Sequence, residues 1–297
     1  SPWGNGRPGW HIECSAMIYK IFGDQIDIHG GGSDLIFPHH ENEIAQSECC
    51  TGKQFVRYWM HNAMLNFGGQ KMSKSVGNLV TMRDFLKSHH PEIYKWMILS
   101  NHYRHEADFS EDGVKRAIKG LAKMYSALAV ANFVVSEISA KHPELLQASK
   151  VNPKWQEYFG GLWKKIEEAL DNDFGTPEVF AIVFEAVSFL NTGLKRASPK
   201  NADSLGKALA FQEFMNQLGS ILALFLENPQ DLLNELDSQL LREMNLERSK
   251  IDLLVQERAK ARLAKDFKAS DDLRSQLTEM GISVMDTELG SFWEVMK

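Results

Sequence analysis

Cysteine is scarce. The 297 residues hold three, Cys14, Cys49 and Cys50, which excludes a disulfide-stapled scaffold and points to a reducing compartment. Long hydrophobic runs are lacking too. No apolar stretch approaches the roughly 18 residues of a membrane span, and mean hydropathy is -0.30. An excess of basic charge is also missing: 33 Lys and Arg stand against 39 Asp and Glu, a net charge of -6. That excludes a uniformly basic nucleic-acid binder but leaves room for local basic faces, because patches rather than totals set the electrostatic footprint. There is no low-complexity segment, no fixed-period repeat and no basic-then-apolar leader with a small-residue cleavage site. The chain opens at Ser1 without an initiator Met and reads as the middle of a longer protein.

What is present divides the chain unequally. Hydrophobic residues make up 43% and charged residues 24%, enough apolar material for a globular core. Glycines crowd the first third, ending in the run Gly30, Gly31, Gly32. Gln25–His29 alternates like a strand, and Cys14–Phe22 has helical spacing. Pro38 suits the first position of a helix reaching about Cys50. The aromatic-rich stretch Arg57–Phe67 reads as strand. This alternation points to part of an α/β layer. After Thr81 the pattern is almost wholly helical, with Thr81-Met-Arg-Asp84 as a capping-box variant. The spacing predicts helices over 81–88, 91–100, 111–140, 153–171, 177–196, 202–226, 229–236, 242–265 and 268–280, with breakers at Pro91, Pro143, Pro153, Pro177, Pro199 and Pro229. The end, 281–293, reads as a small hairpin.

Four constellations bear on chemistry. His39 and Glu43 are spaced i, i+4 and so share one helix face. With Cys14 from a neighbouring segment they would offer thiolate, imidazole and carboxylate to Zn²⁺; the alternative is a buried cysteine beside a wet helix face. Gly30-Gly31-Gly32-Ser33-Asp34 follows a strand-like segment. A glycine turn there would let a ligand approach the backbone, and the acidic residue could accept hydrogen bonds from ribose hydroxyls; a plain tight loop is the alternative. Lys71-Met72-Ser73-Lys74-Ser75, flanked by Gly68, Gly69 and Gly77, describes a cationic loop able to neutralise triphosphate charge, or else a solvated lysine loop. Arg258, Lys260, Arg262, Lys265 and Lys268 form a basic stripe suited to phosphate contact, unless the helix is simply solvated.

Together these strings resemble one family. Lys71–Ser75 resembles the second signature of class I aminoacyl-tRNA synthetases. More narrowly, Gly9-Trp-His-Ile-Glu-Cys-Ser15, His29-Gly-Gly-Gly-Ser-Asp-Leu35, Pro38-His-His-Glu-Asn-Glu43, Asp171-Asn-Asp-Phe-Gly-Thr-Pro177 and Lys265-Asp-Phe-Lys-Ala-Ser-Asp-Asp-Leu-Arg274 are similar to the cysteinyl-tRNA synthetase family. The resemblance covers essentially all 297 residues. It implies the second half of a Rossmann-like catalytic domain with its zinc site over 1–67, the signature loop and a connecting helical domain over 68–112, a tRNA-binding helical bundle over 113–237 and a small, mostly helical anticodon-binding domain over 238–297. It implies Cys14, His39 and Glu43 as ligands of one Zn²⁺, and Trp10 as the aromatic residue closing the cysteine pocket. Asp34, Gly31, Gly32 and Lys74 become ATP-binding residues, and Lys71 and Lys74 the catalytic lysines. The implied reaction is ATP-dependent activation of L-cysteine, with Mg²⁺ accompanying ATP, and transfer to tRNA(Cys). A cytoplasmic monomer without membrane contact is expected.

The sequence also departs from the family. It contains no His-x-Gly-His signature and no cysteine placed as a further zinc ligand; Cys49 and Cys50 lie about two helical turns beyond His39 and Glu43. The expectation is that this chain alone is inactive, with a zinc site short of one ligand. Gly175 stands where the family usually has Asn, a difference at the start of a helix. Two other readings remain open: a cysteine-activating ligase of the mycothiol type, which lacks the long tail 246–293, and a non-catalytic tRNA-binding module.

Overall fold

The computed structural model describes residues 2, 4–67, 70–71, 81–149, 153–194, 202–287 and 290–296. They form two compact units, residues 1–79 with 101–110 and residues 80–100 with 111–297.

The first unit is a parallel α/β layer. Helix α1 (Trp10–Phe22) ends at Gly23, whose φ of 87° is the left-handed conformation that favours glycine. Strand β1 (Ile26–Gly32), helix α2 (Glu41–Thr51) and strand β2 (Val56–Asn62) follow. β1 and β2 pair in parallel from Ile26↔Val56 to Gly32↔Asn62, and α2 is the crossover that parallel strands require. Two expectations are corrected here. Gly30, Gly31 and Gly32 belong to β1 rather than to a turn. Pro38 lies in a turn over 36–40, after Phe37 in an extended conformation, and the regular helix begins only at Glu41. Strand β3 (Leu65–Phe67) pairs antiparallel with β4 (Gln70–Lys71) and in parallel with β5 (Ala107–Asp108).

The second unit is helical: α3 (Met82–Phe85), α4 (Pro91–Leu99), α5 (Glu111–Lys141), α6 (Pro143–Ser149), α7 (Pro153–Asp171), α8 (Thr176–Leu194) and α9 (Ala202–Leu222). The capping reading of Thr81 holds, since its Oγ1 accepts from the Asp84 N–H at 3.1 Å. As the spacing predicts, Pro91 and Pro153 are each a first helical residue; Pro143 likewise opens α6, a helix the spacing did not predict. There the missing N–H has no intrahelical partner to lose. Pro199 lies outside the described residues. By length and composition α5 could cross a membrane, which corrects the expectation that no stretch comes near that size. Its apolar stripe, including Ile118, Leu121, Met124, Tyr125 and Ile138, is instead buried against α4, α8 and α9. On α7, Trp155, Phe159, Leu162, Ile166 and Ala169 follow the helical period and are all buried.

Two glycines permit close approach. A Cβ on Gly120 of α5 would collide with the Cζ2, Cε2 and Nε1 atoms of Trp96, so the indole packs against bare backbone. A Cβ on Gly175 would lie 2.7 Å from the Ala169 carbonyl oxygen. The turn from α7 to α8 closes on that same oxygen through the Gly175 N–H at 2.9 Å. Glycine therefore suits this turn better than asparagine.

Helix α10 (Pro229–Glu243) is capped by Asn228, whose Oδ1 accepts from the Gln230 and Asp231 N–H groups. It outlasts its expected end at 236. The break falls at 244–247, where Asn245 takes a φ of 54°. Helices α11 (Arg248–Leu263) and α12 (Phe267–Glu279) precede the hairpin β6 (Ile282–Thr287) and β7 (Gly290–Val295), as the sequence predicts. Leu241, Ile251, Val255, Leu277, Ile282 and Val295 make a separate small core. The basic stripe is corrected at one position. Arg258 is buried, and only Lys260, Arg262, Lys265 and Lys268 face solvent.

One buried carboxyl ties this unit together. Glu92 on α4 is 3% exposed, and its Oε1 accepts from the Tyr125 hydroxyl at 2.9 Å. Burial pushes the Glu92 carboxyl up, although Tyr125 and the backbone N–H groups of Phe225 and Leu226 favour the charged form. A raised folded value means that the proton is held more tightly in the fold. The contribution to stability is complete below the ordinary carboxylate range and is lost as pH rises through the raised value. Glu92→Gln, which keeps the acceptor for Tyr125, is therefore expected to gain stability relative to the wild type as pH rises. Melting curves of both proteins across pH check this; a difference independent of pH would refute it. Gly120→Ala is expected to cost about 1–3 kcal/mol through overpacking against Trp96, measured as a lower denaturant midpoint at unchanged slope.

Candidate metal centre

Helix α1 carries Cys14 one turn after Trp10. The turn over 36–40 and the first turn of α2 carry His39 and Glu43. The ligand atoms of Cys14, His39 and Glu43 lie within 4.8 Å of one another. Glu43 is wholly buried, His39 is 5% exposed and Cys14 is partly buried. The proximity expected from their spacing is therefore present. Cys49 and Cys50 are exposed farther along α2 and join no ligand group among the described residues.

The polar geometry is unusual for a site made only of protein. His39 Nε2 and Glu43 Oε1 are 2.7 Å apart. They are not aligned as a hydrogen bond, and Oε1 has no hydrogen-bond partner. Two lone-pair donors this close without an aligned hydrogen between them repel each other, and a cation taken up beside them would relieve that repulsion. Burying a carboxylate oxygen without a partner is costly; a cation beside it would offset that cost. The other oxygen is held. Glu43 Oε2 lies 2.8 Å from His29 Nε2, and because an ionised carboxylate only accepts, His29 donates.

The remaining ring nitrogens form a layer that sequence reasoning missed. His39 Nδ1 meets His11 Nδ1 at 2.8 Å, and His40 Nδ1 meets His61 Nε2 at 2.8 Å. His29 and His40 lie against Trp59, with ring centroids 4.8 and 4.9 Å away. His29, His40 and Glu43 form a second cluster of ligating side chains that shares Glu43 with the first. Burial, then His29, His61 and His39, push His40 down to about 4. Burial, then Arg104 and His29, lower His61. The Cys14 thiol is pushed up by burial, then by the Glu43 and Glu13 carboxylates; a cation beside it would reverse that and favour the thiolate. The available signal was density: five of the ten histidines fall at positions 11, 29, 39, 40 and 61.

The other expected site residues are placed as follows. Trp10 is 60% exposed, with its indole 4.4 Å from the His39 ring between centroids. Asp34 lies just beyond the C-terminal end of β1, the edge where open α/β layers bind ligands. The space over Gly31 is taken by His40, whose Cε1 would lie 2.7 Å from an added Cβ. Over Gly32 the Asp34 carboxylate would lie 2.5 Å from one. These glycines thus seat two side chains of the site. The backbone of Lys71 belongs to β4. The rest of the signature loop, Met72, Ser73, Lys74 and Ser75, lies outside the described residues.

Cysteine, histidine and glutamate supply the sulfur, nitrogen and oxygen donors that Zn²⁺ accepts, so the residues present fit that ion.

Three family profiles match in succession. The class I (C) tRNA synthetase catalytic domain matches residues 1–119, the DALR domain residues 165–227, and the cysteinyl-tRNA ligase anticodon binding domain residues 249–293. The chain is 58% identical to a cysteine--tRNA ligase of Bdellovibrio bacteriovorus over 297 residues, covering all of this chain and 60% of that protein. It is 41% identical to one from Geobacter sulfurreducens over 295 residues, covering 99% of this chain and 59% of that protein. The chain thus spans about 60% of the length of the curated relatives it matches. A solved structure from Campylobacter jejuni, assigned as an arginyl tRNA synthetase, aligns with a TM-score of 0.50 at 13% identity over 75% of this chain and 52% of that one. At that identity the likeness concerns the fold alone. The order of the three profiles and the depth of identity along the whole length place the chain in the cysteine--tRNA ligase family of class I aminoacyl-tRNA synthetases.

Proposed function

We propose that this chain carries the thiol-selecting and tRNA-contacting parts of a cysteine--tRNA ligase. The observation that carries the reading is the convergence of Cys14, His39 and Glu43 around a buried carboxylate oxygen without a hydrogen-bond partner. Cys14, His39 and Glu43 would hold Zn²⁺. Bound there, the ion supplies a soft Lewis acid that prefers the thiolate of cysteine to the hydroxyl of serine. A pocket without a metal separates such similar side chains poorly. Trp10, beside His39, would cover the side chain of bound L-cysteine.

The reaction is activation followed by transfer. The carboxylate of L-cysteine attacks the α-phosphorus of ATP, and pyrophosphate leaves with Mg²⁺. The aminoacyl group then passes to the terminal ribose of tRNA(Cys). Asp34 accepts hydrogen bonds from the ATP ribose, and Gly31 and Gly32 border the nucleotide. Lys71 and Lys74 neutralise charge growing on the phosphates, so that fixed electrostatics lower the barrier. The domain divisions at 67/68, 112/113 and 237/238 separate these tasks. Helices α11 and α12 with the β6–β7 hairpin would contact the anticodon, with Lys260, Arg262, Lys265 and Lys268 toward phosphates. That region favours the tRNA substrate over the amino sugar of a mycothiol-type ligase. The protein works as a cytoplasmic monomer.

A cobalt-loaded chain tests thiol selection directly. L-Cysteine is expected to strengthen the thiolate-to-cobalt charge-transfer absorption while L-serine leaves it unchanged. Cys14→Ser is expected to lower metal affinity about 100-fold or more. Equal responses to the two amino acids would refute the selection role. In cysteine-dependent ATP–pyrophosphate exchange, the 297-residue chain alone is expected to be silent. A longer chain that also carries a His-x-Gly-His segment is expected to be active. Exchange by neither chain would favour the non-catalytic tRNA-binding reading.

A further inference from the structure

His29 is the residue that holds Glu43 in place. It sits on β1, paired in register with Trp59 of β2, and donates Nε2–H to Glu43 Oε2 at 2.8 Å. Glu43 is 0% exposed, so no water substitutes readily for this donor. With Oε2 engaged, a rotation of the carboxylate that exchanged its oxygens would break the bond, so Oε1 is the atom presented toward His39 Nε2. The His29 ring packs beside His40, 4.7 Å between centroids, and beside Trp59, at 4.8 Å. A strand residue thus sets which oxygen of a helix residue is available to a metal.

We propose that His29 is a positioning residue for the metal centre: through Nε2–H it orients the Glu43 carboxylate so that Oε1 completes the donor set with Cys14 and His39. It makes no bond to the ion and takes no part in bond breaking. The inference rests on the metal reading above and goes beyond it. That reading names the ligands; this one names what keeps the carboxylate ligand aimed.

The test is zinc affinity of the full chain, measured by competition with a chromophoric chelator, for the wild type, Cys14→Ser, His29→Ala, His29→Gln and Trp59→Phe. Removing an outer hydrogen bond of this kind lowers metal affinity about 10–100-fold, and that loss is expected for His29→Ala. Glutamine places an amide N–H close to where Nε2–H lies, so His29→Gln is expected to stay within about threefold of the wild type. Trp59→Phe disturbs the same packing without touching the hydrogen bond, and is expected to keep wild-type affinity even if it melts earlier. His29→Ala with undiminished affinity overturns the proposal, as does Trp59→Phe weakening zinc as much as His29→Ala. A wild type that binds zinc no better than Cys14→Ser removes the metal reading itself and this proposal with it. That outcome is distinguishable, because the two proteins are then alike before His29 is considered.

Discussion

Glu43 carries the constraint around which the first unit is arranged. Its carboxylate is completely out of solvent, with one oxygen held by His29 and the other without a hydrogen-bond partner. A charge buried in that state costs on the order of several kcal/mol unless a cation or further donors compensate it. Much of the neighbouring structure follows from supplying that compensation. The turn over 36–40 brings His39 beside Oε1, α1 brings Cys14, and β1 brings His29 to Oε2. The absence of a side chain at Gly31 lets His40 pack against β1 next to them. These segments are far apart in sequence, and the carboxylate is the point they share.

The histidine layer adds a second principle. Two of the three donors, His39 and Glu43, have their far side engaged. His39 meets His11 through Nδ1 while its Nε2 faces Glu43, and Glu43 meets His29 through Oε2 while its Oε1 faces His39. If His39 ligates through a neutral Nε2, its proton is on Nδ1 and His11 accepts. Ligand tautomer and orientation are then set by the protein rather than by the metal. A centre held in this way suits selection between two side chains of nearly equal size, where geometry must not relax to accommodate the wrong one.

The helical unit depends on different physics. Its stability comes from apolar stripes at helical spacing on α5, α7, α8 and α9, with each fully buried large side chain worth about 1.5–3 kcal/mol. The packing is close enough that Gly120 is needed for Trp96 and Gly175 for the turn between α7 and α8. The Glu92–Tyr125 pair is a polar contact inside this apolar surrounding. The small core of Leu241, Ile251, Val255, Leu277, Ile282 and Val295 then fixes α10, α11 and α12 against the terminal hairpin.

Local patterns in the sequence carried most of the secondary structure. The helical period marked α5 and α7 closely, and Thr81 marked a helix cap, because these features depend on neighbours within a few residues. The i, i+4 spacing of His39 and Glu43 was readable for the same reason. Errors arose where a residue type has two local uses. Pro38, expected at the first position of a helix, lies in the turn before it; the glycine run expected in a turn lies in a strand; and Arg258, expected on the surface, is buried. Only the tertiary structure decided that Cys14 meets a helix two elements away and that His29 rather than solvent engages Glu43. It also decided that Oε1 is left facing His39. Those facts depend on β1 and β2 pairing in parallel across α2, and no spacing along the chain encodes the distance between two segments once the chain has folded back on itself.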